Sequence, residues 1–178
     1  MVVFDTTFLA LLFNPASRVP GNKMGIPHQK PRERIEFLIE QLSDQGTRIL
    51  IPTPALSELL VRATGGTSEM LKKIKEYSCF DVVPFDELAA IEVGIMARAE
   101  LGKKIPDSNT TYAKVKYDRQ IVAIAKTRGA STIYSDDADI KGVCEKAKLT
   151  LKALSDLPLP PQNPQGEMFS NENKSTDK

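Results

Sequence analysis

Short, continuously apolar runs alternate with longer segments of helical periodicity along most of the chain. Continuous runs of β-branched and aromatic residues are typical of strands that are buried on both faces. Four such strands are predicted to begin near Val2, Arg48, Phe80 and Ser131, and a fifth, at the edge, within Leu149–Leu154. Because helical segments separate these runs, the pattern predicts a three-layer α/β/α fold, in which helices cover both faces of a central, mostly parallel sheet.

The helical segments are recognised by apolar residues three and four positions apart. Thr53 is expected to cap one helix at its N-terminus, with Pro54 in the first turn. Another helix, Phe85–Leu101, is predicted to turn four apolar residues toward the core, namely Leu88, Ile91, Ile95 and Met96. The remaining helices are predicted to begin at Pro31, Ser68, Lys114 and Lys141.

Two segments depart from this alternation. Residues 14–30 are rich in proline and glycine and are predicted to form a long loop, which holds the only histidine, His28. From residue 155 onward the composition shifts to proline and polar residues, which bury too little apolar surface to fold alone. We therefore expect one folded domain, residues 1–154, followed by an extended or disordered tail, residues 155–178.

Composition narrows the class of protein without indicating an activity. The chain has 178 residues, 41% of them hydrophobic, and a net charge of +1, which excludes neither nucleic acid nor an acidic partner. Its two cysteines, Cys79 and Cys144, lack metal-ligand spacing and are expected to be reduced thiols. No run is long enough to span a membrane, and the apolar N-terminus lacks the basic start of a signal peptide. We therefore expect a cytoplasmic protein.

Acidic residues follow the predicted strands, at the edge where parallel sheets bind their ligands. Asp5 ends the first strand, and Glu58 lies in the second turn of the helix that follows the second strand. Each has an ordinary structural explanation, Asp5 as a helix cap and Glu58 as the intrahelical partner of Arg62. Those explanations do not account for acids that recur in equivalent settings along the chain.

Further acidic residues are expected near the same edge. Asp118 begins the inward stripe of its predicted helix, although an acid near a helix N-terminus also complements the helix dipole. Ser135 ends the last central strand, and Asp136, Asp137 and Asp139 follow it directly. The topology therefore gathers acids from four separate parts of the chain.

Several carboxylates at one sheet edge repel one another unless a cation is present. Hard divalent cations bind oxygen ligands, and Mg²⁺ needs only a few carboxylates beside water and substrate phosphate. The cluster therefore indicates metal-assisted hydrolysis of phosphodiester bonds. The sequence offers no histidine and cysteine set for zinc, no catalytic triad and no glycine-rich phosphate loop.

Four motifs occur in order along the chain: VVFDTTFLALL, IPTPALSELL, KYDRQIVAIA and TIYSDDADI. Together they resemble the motifs of PIN-domain ribonucleases of the VapC-like toxin type, over most of residues 1–153. The resemblance implies an endoribonuclease that depends on Mg²⁺ or Mn²⁺, cleaves single-stranded RNA and has an antitoxin protein as a partner. Residues 14–30 and the tail exceed a compact toxin, so the resemblance supports the nuclease more strongly than the toxin role.

The resemblance also assigns roles to individual residues. The catalytic and metal-binding acids that it implies are Asp5, Glu58, Asp118 and Asp137. Asp137 is preferred because it follows Ser135 by two positions, as the last acid of the family follows a Ser or Thr. Asp136 and Asp139 stay open as alternatives for this position, and Thr6 resembles the small polar residue that supports the first aspartate.

RNA would be guided across the acidic edge by nearby cations. The candidates by sequence neighbourhood are Arg62, Lys114, Lys116 and Arg119. Any one of them is as readily explained as a solubilising charge or an ion-pair partner. A second copy of the chain is a further candidate partner, whereas no membrane partner is expected.

Two other classes of function compete with the nuclease. A noncatalytic PIN module would bind RNA or protein as a scaffold, but a decayed site is expected to have lost an acid, and the four acids are present. A Mg²⁺-dependent phosphatase would normally carry a second acid two residues after its nucleophile, where Thr7 stands. The metal-dependent ribonuclease is therefore the function that the sequence favours.

Overall fold

Five parallel strands form the central sheet of this computed structural model, which describes residues 1–14, 16–21, 25–63, 66–99 and 112–161, without the side chains of 112–114. The strands are β1 (Val2–Phe4), β2 (Ile49–Pro52), β3 (Phe80–Val83), β4 (Thr132–Tyr134) and β5 (Thr150–Lys152). They lie in the order β3-β2-β1-β4-β5, and every neighbouring pair is parallel. The predicted parallel sheet is confirmed.

Seven helices in the described parts of the chain flank this sheet and complete the predicted three-layer α/β/α fold. They are α1 (Thr6–Phe13), α2 (Pro31–Asp44), α3 (Thr53–Val61), α4 (Thr67–Lys75), α5 (Glu87–Arg98), α6 (Tyr112–Thr127) and α7 (Ile140–Ala147), with a 3₁₀ turn at Leu154–Asp156. None of the described helices is long and apolar enough to cross a membrane.

The central strand β1 is buried at all three positions, as its continuous apolar sequence predicts. Its last residue, Phe4, meets the rings of Phe8, Phe80 and Tyr134 edge-on, with centroids 5.5–6.0 Å apart. Edge-to-face contacts of this kind add to the stability that burial alone gives. This aromatic cluster therefore fixes the point at which the chain leaves the sheet at Asp5.

The start of α3 differs from the prediction that Thr53 caps it. Pro52 is the capping residue, and Thr53 is the first residue of the helix, followed by Pro54 in the first turn as predicted. The Thr53 hydroxyl accepts a hydrogen bond of 3.0 Å from the Phe85 N–H. The side chain thus satisfies a backbone donor in the loop after β3 instead of one in its own helix.

The predicted core face of α5 is wrong for three of its four residues and correct for Met96. Three of its four apolar side chains are 53–62% exposed, namely Leu88, Ile91 and Ile95. The helix instead turns Ala89, Val93 and Met96 toward α6, where they pack on Ala123 and Ile124. Both stripes of α5 are apolar at helical spacing, so the pattern alone does not decide which of them faces the partner helix.

The two segments outside the regular alternation are partly described. The described residues of 14–30 form no helix or strand, apart from a single bridge between Gly21 and Pro27. At the other end, Leu157 is 5% exposed, and its carbonyl accepts a hydrogen bond from Arg34. Residues 162–178 lie outside the described residues, so the boundary after residue 154 stays a prediction.

Candidate active site at the carboxyl edge of the sheet

Asp5 leaves β1 at the carboxyl edge of the sheet and caps α1. Its Oδ1 accepts a hydrogen bond of 2.6 Å from the Thr6 N–H, in the extended backbone conformation (φ −81°, ψ 169°) that caps adopt. A carboxylate suits a helix N-terminus because it meets unpaired donors and the positive end of the dipole. Asp5 is nevertheless only 5% exposed, and a cap does not require that degree of burial.

The turn that follows β4, residues 135–139 and here called the acid turn, closes over Asp5. The Ser135 hydroxyl, 1% exposed, donates a hydrogen bond of 2.6 Å to Asp5 Oδ2 and accepts one of 3.0 Å from the Asp137 N–H. Asp137 Oδ1 in turn accepts 3.0 Å from the Asp139 N–H. Ser135 therefore links the first acid directly to the backbone of the last one.

Glu58 reaches the site from α3 through Thr6. The Thr6 hydroxyl donates a hydrogen bond of 2.7 Å to Glu58 Oε2, although the two residues are far apart in sequence. No ion pair joins Glu58 to Arg62, and both residues are within the described part of the chain. The intrahelical pairing considered for Glu58 is thus not formed, since the carboxylate turns toward Thr6.

Asp118 lies in α6 and is 7% exposed. The helix begins at Tyr112, so Asp118 stands nearly two turns in, where the helix dipole has little effect. Burial, followed by the charges of Asp5 and Asp118, raises the pKa of the Cys144 thiol to about 12. The charges of both carboxylates therefore act on the same buried thiol on α7.

Burial is the main cause of a raised pKa at Asp5, and the charges of Asp137 and Glu58 raise it further. Hydrogen bonds from Ser135 and the Thr6 N–H oppose this shift because they stabilise the ionised form. The site thus holds one carboxylate under repulsion from two others. A cation at this point would relieve the repulsion.

The carboxylates around Asp5 suit some metal ions and not others. In the described residues, no three His, Cys, Asp or Glu side chains converge closely enough to form a ready-made metal cage. Mg²⁺ does not need such a cage, because it keeps several waters and binds through one or two carboxylates and substrate phosphate. Mutually repelling carboxylates around a buried Asp5 fit an ion of that kind and do not fit a closed zinc site.

Asp136 and Thr7 have contacts that sequence reasoning did not foresee. Asp136 Oδ1 accepts a hydrogen bond of 3.0 Å from the Leu154 N–H, and the charges that act on Asp136 come from His28 and Asp156. The Thr7 hydroxyl accepts 3.1 Å from the Asp136 N–H and lies 3.4 Å from Ser135 Oγ. The sequence signal for these contacts is the hydroxyl-bearing Thr7 two residues after Asp5.

The candidate RNA-binding cations differ in exposure. Arg62 and Lys116 are exposed, Arg119 is half-buried, and the side chain of Lys114 lies outside the described residues. The Arg62 carbonyl accepts a hydrogen bond of 3.3 Å from Asn14, which joins the end of α3 to the start of the 14–30 segment. Their role in binding RNA stays a prediction.

Comparison by sequence found no matching family model and no matching curated protein. Comparison by structure found similar chains in VapBC2 of Rickettsia felis bound to a promoter DNA fragment (TM-score 0.57, 15% identity, covering 86% of this chain and 98% of that one). DNA-bound VapBC of Salmonella typhimurium gives 0.56 and 17%, covering 86% and 97%. VapC20 of Mycobacterium tuberculosis, which cleaves the sarcin–ricin loop, gives 0.51 and 12%, covering 80% and 95%.

These comparisons establish a VapC-like PIN-domain fold, as the four sequence motifs implied. The match extends over nearly the whole of each solved chain, so the likeness includes all layers of the fold. At 12–17% identity it concerns the fold, and the activity of this chain must be argued from its own residues.

Proposed function

We propose that this chain, which has the fold of the VapC toxins, is a Mg²⁺- or Mn²⁺-dependent endoribonuclease that hydrolyses phosphodiester bonds in single-stranded RNA. The observation that carries the proposal is Asp5, a buried carboxylate at the carboxyl edge of the sheet on which the charges of Asp137 and Glu58 act. An arrangement that raises a pKa by burial and by like charges marks functional sites. A structural neighbour that cleaves RNA supports this reaction class.

The residues that would hold the metal ion are Asp5, Glu58, Asp118 and Asp137. When bound, such an ion supplies positive charge that activates water and stabilises the leaving oxygen of the phosphodiester. The charges of Asp137 and Glu58 both act on Asp5. Asp118 would complete the set from α6, since it shares the surroundings of Cys144 with Asp5.

Neighbouring hydroxyl and amide groups orient these acids. Ser135 and the Thr6 N–H each hold one oxygen of Asp5, and the Thr6 hydroxyl holds Glu58. The Asp139 N–H does the same for Asp137. Groups of this kind fix the direction in which a carboxylate presents its remaining lone pairs, and their removal weakens metal sites.

The proposed biological role is the toxin of a toxin–antitoxin pair. Two of the structural neighbours are VapBC assemblies bound to DNA, which supports an antitoxin protein as the partner of this chain. We place its action in the cytoplasm, where its RNA substrate would be found. Exposed Lys116 and Arg62, with Lys114 and Arg119, would guide the RNA phosphates by charge.

A second candidate is a noncatalytic PIN module that binds RNA or protein. The observation in its favour is that no three acidic, histidine or cysteine side chains of the described residues converge on a metal position. A phosphatase is less well supported, because the position where a second acid is needed holds Thr7, whose hydroxyl already binds the Asp136 N–H.

Cleavage of a fluorescent single-stranded RNA by the full chain distinguishes these functions. We expect cleavage with Mg²⁺ or Mn²⁺, none with EDTA, and a loss of about 10²-fold or more in Asp5→Asn. The matched control is Asp81→Asn, because Asp81 lies on β3 in a surface ion pair with Arg48. Unchanged cleavage by Asp5→Asn or in EDTA would refute the proposal, and RNA binding without cleavage by the parent would favour the scaffold.

A further inference from the structure

Asp136 lies in the acid turn between Ser135, which donates a hydrogen bond to Asp5, and Asp137, yet its own side chain contacts a different part of the molecule. Asp136 Oδ1 accepts a hydrogen bond of 3.0 Å from the Leu154 N–H. One residue earlier, the Ser135 N–H donates 3.0 Å to the carbonyl of Lys152. Two consecutive residues of the acid turn are thus bound to residues 150–157, here called the C-terminal segment.

The C-terminal segment is itself firmly anchored. Leu154 is fully buried and Leu157 is 5% exposed. Arg34 of α2 donates one hydrogen bond to the Leu157 carbonyl and another, of 3.0 Å, to the Gln29 carbonyl. The segment therefore offers a rigid surface on which a neighbouring turn can be positioned.

The backbone of Asp136 is held from the opposite side. Its N–H donates a hydrogen bond of 3.1 Å to the Thr7 hydroxyl, which belongs to the same helix turn as Asp5 and Thr6. Asp136 thus spans the space between α1 and the C-terminal segment. A change in the position of Asp136 between α1 and the C-terminal segment would therefore move the backbone of the adjacent residue, Asp137.

The two oxygens of Asp136 differ in what they contact. Oδ1 accepts the hydrogen bond from the Leu154 N–H, whereas Oδ2 is buried and has no hydrogen-bond partner among the described residues. An acceptor at Oδ1 is the contribution that the structure uses, and a neutral amide provides the same acceptor.

We infer that Asp136 is a positioning residue, which fixes the acid turn to the C-terminal segment and thereby sets the place of Asp137 at the site. This inference rests on the proposed nuclease function. It separates Asp136 from Asp5, because the Asp5 carboxylate is bound by Ser135 and the Thr6 N–H, whereas the Asp136 carboxylate is bound by the Leu154 N–H. The C-terminal segment, which follows the last of the four motifs, then becomes part of the catalytic architecture.

The test compares Asp136→Ala with Asp136→Asn in the full chain. Loss of the acceptor in Asp136→Ala should lower kcat for RNA cleavage about 10-fold or more. It should also raise the Mn²⁺ concentration that gives half-maximal thermal stabilisation, because removing a group that orients a metal ligand weakens the metal site. The KM for RNA should stay within twofold, because no phosphate contact is removed. Asp136→Asn should restore both values, since its side-chain oxygen still accepts from the Leu154 N–H.

Two sets of variants make the outcome decisive. Asp86→Ala, which removes a helix cap and an ion pair on α5, controls for general loss of stability. Asp5→Asn and Asp137→Asn test the proposed function itself, so their failure to reduce cleavage would refute the nuclease and not only the role of Asp136. If Asp136→Ala does not fold, Asp136→Ser, which is too short to reach the Leu154 N–H, replaces it.

Three results would overturn the inference while Asp5→Asn remains inactive. The first is an Asp136→Ala protein with parental kcat per folded molecule and a parental Mn²⁺ requirement. The second is an equal loss in Asp136→Ala and Asp86→Ala. The third is an Asp136→Asn protein as inactive as Asp136→Ala, because that result would make the charge of Asp136 essential and place it among the acids.

Discussion

The carboxyl edge of the sheet and the outer face of α5 depart from ordinary burial in opposite directions. At the edge, four polar or charged residues are buried, and they are the only such residues in the described chain: Asp5, Thr6, Asp118 and Ser135. On α5, three large apolar side chains are 53–62% exposed, namely Leu88, Ile91 and Ile95. The carboxyl edge thus buries charged side chains, and α5 exposes apolar ones.

The buried polar residues and the exposed apolar side chains are not equally strong indications of a functional site. Burying a carboxylate is costly, and although a donor binds each oxygen of Asp5, its burial and the repulsion from Asp137 and Glu58 remain and require an explanation beyond folding. Single exposed apolar side chains are common on folded proteins, but the three on α5 form one stripe, as surfaces that a partner covers do. Hypotheses about chemistry therefore concern the carboxyl edge of the sheet, whereas α5 raises the question whether a partner covers its exposed stripe.

The largest effect that sharpens this comparison is expected from Ser135→Ala. The substitution removes the donor to Asp5 Oδ2 and the acceptor of the Asp137 N–H, so cleavage should fall about 10- to 100-fold. Single-turnover RNA cleavage measures it. Ser131→Ala is the control, because Ser131 is an exposed serine before β4. Parental activity in Ser135→Ala would mean that the buried polar network does not serve catalysis.

The next prediction concerns the pH dependence of stability in the metal-free protein. The pKa of Asp5 is raised above its ordinary value of 3.8, chiefly by burial, so the folded state binds the Asp5 proton more tightly than the unfolded state. The free energy of unfolding should therefore fall as pH rises from about 3.8 through the folded pKa of Asp5. The penalty is absent below that window and complete above it.

Urea unfolding of the parent and of Asp5→Asn across pH 3.5–7 isolates this contribution, because the neutral amide keeps the helix cap and cannot titrate. Asp5→Asn should be at least as stable as the parent near pH 7, and its advantage should shrink toward pH 4. An Asp5→Asn protein that is less stable than the parent at pH 7 would identify Asp5 as a structural acid.

A smaller effect, on the salt dependence of RNA binding, is expected from Lys116. Lys116 is exposed on α6, two residues before Asp118. If it contacts one phosphate, Lys116→Ala should reduce the slope of log Kd against log salt for single-stranded RNA by about 0.7. Fluorescence titrations at several salt concentrations measure the slope, with Lys75→Ala on α4 as the control. Equal slopes for the two variants would show that Lys116 is only a solubilising charge.

Much of the fold was predictable from the sequence, because continuous apolar runs such as Val2–Phe4 have few alternatives to a buried parallel strand. The starts of helices were less predictable. Thr53 has the residue type of a cap, but its hydroxyl binds the Phe85 N–H, a contact that depends on the tertiary arrangement of β3. Local preference cannot anticipate such a partner.

The acidic residues of the site were predictable from the sequence, but the hydrogen bonds that join them were not. Parallel topology brings the ends of β1 and β4 together, so acids at both ends were expected to meet. That Ser135 joins Asp5 to Asp137, and that Asp136 binds the Leu154 N–H, depends on hydrogen-bond geometry that no spacing rule contains. Cleavage assays of the substituted proteins test the role of each acid in catalysis.

The smallest effect is expected on the outer face of α5. Ile91 is 53% exposed, and isoleucine and serine have similar helix propensities, so Ile91→Ser should change the free energy of unfolding by no more than about 0.5 kcal/mol. The control is Ile124→Ala on α6, a fully buried residue whose truncation should cost about 2–5 kcal/mol.

Urea unfolding at two protein concentrations, tenfold apart, completes this test. A cost of about 2 kcal/mol or more for Ile91→Ser at both concentrations would mean that the side chain is buried in the monomer. The outer face of α5 would then not be an exposed apolar surface, and the contrast with the carboxyl edge would not hold. A cost that grows with protein concentration would show instead that a second copy covers this face, because association stabilises the folded state by mass action. The exposed stripe of α5 would then be an interface, and the two departures from ordinary burial would both have functional explanations.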